Sequence, residues 1–577
     1  MMWNVKKYFN RPRSRSIDNI ENNEFMLIEA VKACDIRRIV YIYSFETIEQ
    51  KLATVGNDNI LHLAVGTENT TIVKCILLFY EKKFNFSKQR NKQGLRPIDM
   101  ANKEIETIFR QWNGEINVNG ESYKSDASGE SVSEMRKKLN ASILLQRLGQ
   151  ISNKSKVLMS IDGGGIRGLA AIQVLMTLED ELGVPLVDVV DWVAGTSTGA
   201  YIAIMLSQKK TLEEMRKIYL RFKGKVFRGM RPYNTAILEK TLQDILGNEP
   251  FLNSKKPKMI VTTCSIKNSM PQLKLFRNYK SIPDSTNESS GTHEKDFENF
   301  SAWEVGRSSS AAPTYFEPYK GFIDGGIMSN NPGLELLTEF FEHNYSITMH
   351  KNLSKISSDS SSSEKDEKYL TEIKDKTTQL TKNLWPTSAC LRKSNKSEEP
   401  TEDKMENIAC LISIGTGGWK ANIKEGEPNA ILHHLPLSNG TNNGSTTNIT
   451  NNNTTTITNH NSSNNNEPQK KNILKKLADL KGILPVFVRQ LTASDGLPVE
   501  RARAWCHSIG VPYFRFTASH TIRLKLDDSN DIGIIQMMWD TEIYLRTDGK
   551  GEIARLTNYL KLFSKMKENL EVKKNNL

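Results

Sequence analysis

The chain has 577 residues, 38% of them hydrophobic, which excludes a wholly disordered polymer and leaves room for about three or four structural units at ~100–200 residues each. Lysine and arginine outnumber aspartate and glutamate by 78 to 66, and the net charge of +12 suits anionic partners such as membrane surfaces, nucleic acid or acidic proteins without choosing between them. Six scattered cysteines without a CxxC pair signal neither a disulfide framework nor a zinc site, so a reducing compartment is the default. No run approaches the ~18–20 uninterrupted apolar residues of a bilayer span, and a cytoplasmic protein, soluble or peripheral to membranes, is expected.

In chain order, residues 1–24 form a basic tail expected to be disordered. Lys6, Lys7, Arg11, Arg13 and Arg15 precede any acid, a composition that mitochondrial presequences share, so mitochondrial targeting stays open. Residues 25–113 contain three partial copies of one pattern: LIEAVKACDIRRI at 27–39, NDNILHLA at 57–64 and GLRPIDMA at 94–101. Ala30, Ala64 and Ala101 are 34 and 37 residues apart, near the ankyrin period, and GLRPIDMA resembles the ankyrin turn-and-helix signature. An all-α ankyrin-like stack of about three degenerate copies is expected, completed by the domain that follows because each unit buries its apolar face only against neighbours. Residues 114–155 read as a linker and a polar helix ending at Leu148.

From residue 156 the pattern becomes strand, glycine turn, helix, repeated: VLMSI at 157–161, AAIQVLMTLEDEL after the turn, an apolar run at 186–193, then another turn and helix. That alternation predicts an α/β fold, a parallel sheet with helices on both faces in three layers. Two tracts, 354–407 (Ser, Lys and Glu) and 438–466 (Asn, Thr, Ser and Gly), are too polar to offset their ordering entropy and are expected as disordered insertions. Residues 473–491 and 556–570 are basic and amphipathic; each reads as a membrane-surface or calmodulin-target helix, or as a helix packing its apolar face on the domain.

Three motifs carry chemistry. Gly195-Thr196-Ser197-Thr198-Gly199 lies between a strand-like and a helical run, the setting in which a sharp turn lifts a serine oxygen out of a sheet. Asp162-Gly163-Gly164-Gly165-Ile166-Arg167-Gly168 also follows a strand and opens a helix, and its uncovered N–H groups could cradle an oxyanion or a phosphate. Gly163, Gly165 and Gly168 also fit G-x-G-x-x-G with Asp188 about 20 residues on, so nucleotide binding, including ATP, stays open there. Asp324-Gly325-Gly326, at the end of an apolar run, offers a carboxylate partner for the serine. A serine hydroxyl needs a base, usually histidine, yet His343, His350, His433, His434, His507 and His520 sit in no recognisable turn motif.

DGGGIRG, GTSTG and DGG, in that order, resemble the patatin-like phospholipases, whose catalytic pair is a Ser–Asp dyad without histidine. The stretches DWVAGTSTGA, KVFRGMRPYN, LFRNY, GRSSSAAPTYF, GFIDGGIMSNNP, SIGTG and ERARAWC, with the N-terminal repeats, extend the resemblance to the ankyrin-bearing group VI calcium-independent phospholipases A2. The resemblance implies a lipase domain over 156–560, with a basic tail at 561–577. It implies Ser197 as nucleophile, Asp324 as base, and Gly163, Gly164, Gly165 and Arg167 as the oxyanion element. Asp162, Gly168, Gly195, Gly199, Gly325 and Gly326 complete the motifs. The expected reaction is hydrolysis of the sn-2 ester of glycerophospholipids through an acyl-enzyme, with no metal, no calcium requirement and no other cofactor. The expected partner is a membrane phospholipid surface rather than nucleic acid; calmodulin binding and a homo-oligomer are compatible with the resemblance. An interaction scaffold with weak or lost lipase activity is the alternative from another class. Ala200 departs from relatives, which often have a further glycine there, and the change should be tolerated inside a helix.

Overall fold

The computed structural model describes residues 26–45, 54–55, 58–121, 132–253, 256–268, 270–280, 299–359, 406–419 and 494–575. At the N-terminus, helical segments follow one another in three pairs. Residues 26–32 precede α1 (Ile36–Phe45), and α2 (Ile60–Gly66) precedes α3 (Thr70–Ile76). A turn at Pro97–Met100 precedes α4 (Lys103–Trp112). The second pair starts where Asn59 Oδ1 accepts the N–H groups of Leu61 and His62, a side-chain cap for otherwise orphaned donors. His62 Nε2 in turn lies 3.0 Å from the Leu95 carbonyl of the next unit. This succession is consistent with the expected ankyrin-like stack.

The stack leans on the domain that follows. Arg216 donates to the Tyr43 hydroxyl at 2.7 Å, Trp539 Nε1 donates to Gln111 Oε1 at 3.0 Å, and the rings of Trp112 and Trp539 stack with centroids 5.7 Å apart. Beyond α5 (Val132–Leu148), seven strands make one sheet. They are β1 (Ser155–Ile161), β2 (Trp192–Thr196), β3 (Lys258–Ser265), β4 (Gln272–Arg277), β5 (Phe322–Asp324), β6 (Asn407–Ile414) and β7 (Tyr513–Phe516). The order is β7-β6-β1-β2-β3-β4, parallel from β7 to β3; β4 and β5 run antiparallel to β3.

Nearly every residue of β1, β2, β3 and β6 is buried, so apolar helices must cover both faces. On one face Leu336, Leu337 and Phe340 of α11 (Gly333–Asp359) and Val499 and Ala502 of α12 (Leu497–Ser508) pack on Leu158, Trp192, Ile260 and Leu411. The opposite face carries α6 (Gly168–Leu182) and α7 (Thr198–Ser207), backed by α8 (Leu212–Val226) and α13 (Asp531–Arg546). The remaining helices are α9 (Thr235–Leu246), α10 (Ala302–Ser309) and α14 (Lys550–Asn575).

Three details differ from the sequence expectation. The apolar run 186–193 is not one strand: Leu186–Val189 forms a helical turn, and β2 begins at Trp192. The sheet is mixed rather than wholly parallel, because β4 and β5 return along β3. No break occurs at 560, since α14 continues through the expected tail to Asn575. Along α14, Leu556, Leu560 and Phe563 are buried and Tyr559 donates to the Ala409 carbonyl at 2.8 Å, so the amphipathic segment 556–570 packs on the domain. Of the tract expected as an insertion at 354–407, residues 354–359 extend α11 and 406–407 open β6, while 360–405 lie outside the described residues. The tail 1–24 and the segments 438–466 and 473–491 also lie outside them.

Candidate active site

β2 ends at Thr196 and α7 begins at Thr198, so the chain must reverse direction at Ser197. It does so with φ 52° and ψ −115°, a conformation that a non-glycine residue keeps only when its surroundings hold it. The two flanking glycines permit the bend: a Cβ on Gly199 would lie 2.2 Å from the Ile161 carbonyl, and one on Gly195 would lie 2.5 Å from that of Gly199. Thr196 Oγ1 anchors the turn on the Ser329 carbonyl at 2.8 Å, and the Ser197 N–H donates to Ser309 Oγ at 2.8 Å. The N-terminal, positive end of α7 points at this serine. Ala200 is fully buried within α7.

Asp324 reaches the serine because the strands that carry the two residues both pair with β3. The register pairs Thr196 with Thr262 on β3, and the next residue along, Thr263, pairs with Asp324 of β5. β2 and β5 therefore meet end to end along one edge, and Ser197 Oγ donates to Asp324 Oδ2 at 2.9 Å. The other carboxylate oxygen accepts the Gly326 N–H at 2.7 Å. Among the described residues no cation pairs with this carboxylate. Burial pushes its pKa from 3.8 up to about 6, against the lowering pull of the Gly326 amide and the Ser197 hydroxyl. Tyr201 and Cys264, the other titratable groups nearby, are raised by burial and stay neutral near pH 7.

The third motif leaves the end of β1. Asp162, fully buried, takes two hydrogen bonds from Arg515, at 3.1 and 2.6 Å, and one from Asn331 Nδ2 at 2.7 Å, so it anchors the loop rather than facing the site. Gly163 donates its N–H to the Asn330 carbonyl at 3.1 Å and accepts from Thr416 Oγ1 at 2.9 Å. Its N–H, expected to face an oxyanion, is therefore already engaged. The N–H groups of Gly164 and Gly165 find no acceptor among the described residues. Gly164 is pressed against Thr416, whose Oγ1 would lie 2.3 Å from a Cβ there. Arg167, expected beside the oxyanion, lies under the loop instead: its guanidinium donates to the carbonyls of Gly417 at 3.1 Å and Gly164 at 3.5 Å, and burial lowers its pKa to about 10. Gly168 opens α6, and Gly325 and Gly326 lead from Asp324 into a single helical turn.

Two other expectations place their residues elsewhere. Asp188 belongs to the helical turn before β2, at the opposite end of the sheet from the glycine loop. His343, held neutral by burial and by Lys258, lies against Lys258 at the amino end of β3, and His520 rests on Thr541. No described histidine contacts Ser197 or Asp324. Among the described residues no three His, Cys, Asp or Glu side chains converge as metal ligands. Residues that shape the site without having been singled out are Ser309, Asn330, Asn331, Thr416 and Arg515. For the first four the signal lay in the short polar runs SSS, SNNP and SIGTG beside the glycines; Arg515, inside the strand run YFRF, carried none.

The comparisons with known proteins agree with this arrangement. A model of the patatin-like phospholipase family matches residues 159–337, a span that includes the glycine loop, the elbow and Asp324. The rat 85/88 kDa calcium-independent phospholipase A2 is 29% identical over 395 residues, 67% of this chain and 38% of the relative. An intracellular phospholipase A2 of Caenorhabditis elegans is 30% identical over 396 residues, 68% of this chain and 28% of the relative. The cGAMP-activated phospholipase of Vibrio cholerae is 25% identical over 225 residues, 33% of this chain and 59% of the relative. The chain spans well under half the length of the rat and nematode relatives. Residues 159–337 thus form a patatin-like phospholipase domain, the domain of lipolytic hydrolases, and the chain is homologous to the calcium-independent phospholipases A2.

Proposed function

We propose that the chain is a calcium-independent phospholipase A2 in which Ser197 and Asp324 act as a catalytic dyad on the sn-2 ester of glycerophospholipids. The observation that carries this reading is the 2.9 Å hydrogen bond from Ser197 Oγ to a buried carboxylate that no cation among the described residues neutralises. Ser197 Oγ attacks the carbonyl carbon while Asp324 takes its proton. The tetrahedral oxyanion rests on the N–H groups of Gly164 and Gly165, and removing one such donor typically costs ~10²–10³ in rate. The intermediate collapses as the ester C–O bond breaks, and the leaving lysophospholipid oxygen recovers the proton from Asp324. Water, deprotonated by the same carboxylate, then releases the fatty acid and restores Ser197.

A base with a pKa near 6 suits this work, because it is ionised at neutral pH yet basic enough to share a proton with a hydroxyl. A membrane surface as the partner is supported by Ile266, Met270, Trp419 and Met328, which stand exposed on segments that follow β3, β6 and β5 at the end of the sheet holding Ser197. No described helix is long and apolar enough to cross a membrane. The test uses phosphatidylcholine vesicles with different acyl chains at sn-1 and sn-2, with and without a calcium chelator. Release of the sn-2 chain in both conditions, lost in Ser197→Ala and in Asp324→Asn, is the expected result; wild-type turnover by Ser197→Ala overturns the assignment.

A further inference from the structure

We propose that Ser309 is a positioning residue for this reaction, a buried hydroxyl that fixes the nucleophile against the strand on which its base is mounted. The inference rests on the catalytic reading of Ser197 and Asp324. Ser309 ends α10 and is fully buried. Its single hydroxyl proton is committed to the Thr262 carbonyl at 2.7 Å, so its lone pair is free to accept the Ser197 N–H at 2.8 Å. The direction of both bonds is therefore set, and the side chain cannot rotate without breaking one of them. Thr262 is the β3 residue opposite Thr196, and Thr263 beside it pairs with Asp324. The carbonyl of Ser309 accepts the Gly325 N–H at 3.1 Å, and the carbonyl of Ala311 accepts that of Asp324 at 3.0 Å.

One short segment thus contacts the elbow, the shared strand and the base. Ser197 sits at φ 52°, and its inward N–H is the polar group of this strained residue that the Ser309 side chain grips. Without that acceptor the backbone relaxes toward ordinary angles, Ser197 Oγ leaves its place opposite Asp324 Oδ2, and the N–H is buried with nothing to receive it. A misplacement of about 1 Å at a reacting atom typically reduces rate by about 10²-fold.

Neighbouring Ser308 supplies the control. It is equally buried, but its hydroxyl donates only to the Glu304 carbonyl one turn back in the same helix, at 2.8 Å. The experiment compares Ser309→Ala, Ser309→Cys and Ser308→Ala in the full chain, reading kcat and KM on phosphatidylcholine vesicles, the rate of Ser197 labelling by a fluorophosphonate, the acid midpoint of kcat/KM, and Tm. Ser309→Ala should lower kcat and the labelling rate together by about 10²-fold with KM nearly unchanged. Its acid midpoint should move above that of the wild type, because the Ser197 hydroxyl no longer helps hold the Asp324 pKa down. Ser309→Cys, which keeps a weaker donor and acceptor, should fall between, and Ser308→Ala should match the wild type in rate while sharing the Tm loss of Ser309→Ala. If both alanine variants lose rate equally, or Ser309→Ala keeps full kcat and the same midpoint, the inference fails while the dyad stands. If the wild type neither hydrolyses nor labels at Ser197, the catalytic reading fails and takes this inference with it.

Discussion

Both ends of the sheet bury titratable side chains, and they treat them in opposite ways. Toward the amino end, Glu339 accepts two hydrogen bonds from Arg277, at 2.7 and 2.8 Å, and one from the Tyr279 hydroxyl at 2.6 Å. Burial alone would raise this carboxyl, but the guanidinium fork and the phenol outweigh it and hold Glu339 below the usual range. At the carboxyl end Asp324 is buried to a similar degree with no cation beside it among the described residues, and it is pushed up to about 6. The contrast teaches that burial does not by itself make a group reactive. A carboxylate saturated with donors is a strut, and one left with a hydroxyl and a single amide is ready to take a proton.

The sharpest way to break this contrast is to remove the reactive pair. Ser197→Ala and Asp324→Asn should each lower fatty-acid release by at least ~10³–10⁴-fold, since the oxyanion donors and binding alone would remain. Next in size is Gly164→Ala, whose Cβ would press on Thr416 Oγ1 at 2.3 Å and push the loop aside, removing about 10²–10³ of the rate. A chemical-denaturation midpoint at pH 7.5 would tell whether that loss is local or global.

The same Asp324→Asn variant also reads the contrast as stability. Because the folded pKa is raised, ionising Asp324 opposes folding. The penalty is absent below the ordinary value of 3.8, grows as pH rises through about 6 and is constant above. Moving from 3.8 to about 6 at about 1.4 kcal/mol per pH unit gives a gain of up to about 3 kcal/mol for Asp324→Asn at pH 7.5, and none near pH 3.5. Urea unfolding at both pH values measures it. Smallest is Glu339→Gln, which should cost about 1–3 kcal/mol at pH 7 while leaving turnover unchanged. Glu339 is held below its ordinary value, so its contribution is full above that value and fades as pH falls through the lowered one. A Glu339→Gln variant that loses rate as severely as Asp324→Asn would erase the distinction between the two ends.

How much of this was legible in the sequence follows from how far each constraint reaches along the chain. GTSTG and DGG announce themselves because the bends at Ser197 and after Asp324 are set within a few residues, where glycine is required. Ser309, Asn330, Thr416 and Arg515 act through hydrogen bonds to segments far away in sequence, and a serine, an asparagine or an arginine looks the same whether it faces water or a loop. Gly163 and Arg167 belong to the legible motif, yet their bonds to Asn330 and Gly417 turn one donor inward and make the other a prop. The apolar run at 186–193 misled for a related reason, since periodicity over so few residues does not separate a buried helical turn from a strand. The return of β4 and β5 along β3 was invisible because register is a property of two strands.

That register has one more consequence. Since the residue before the nucleophile and the base itself pair with consecutive residues of β3, the 127 positions of chain separating Ser197 from Asp324 are relieved of any duty to measure distance. Intervening loops can lengthen or shrink while the gap between the two oxygens stays put, whereas a slip of β5 by a single rung would turn Asp324 to the far side of the sheet.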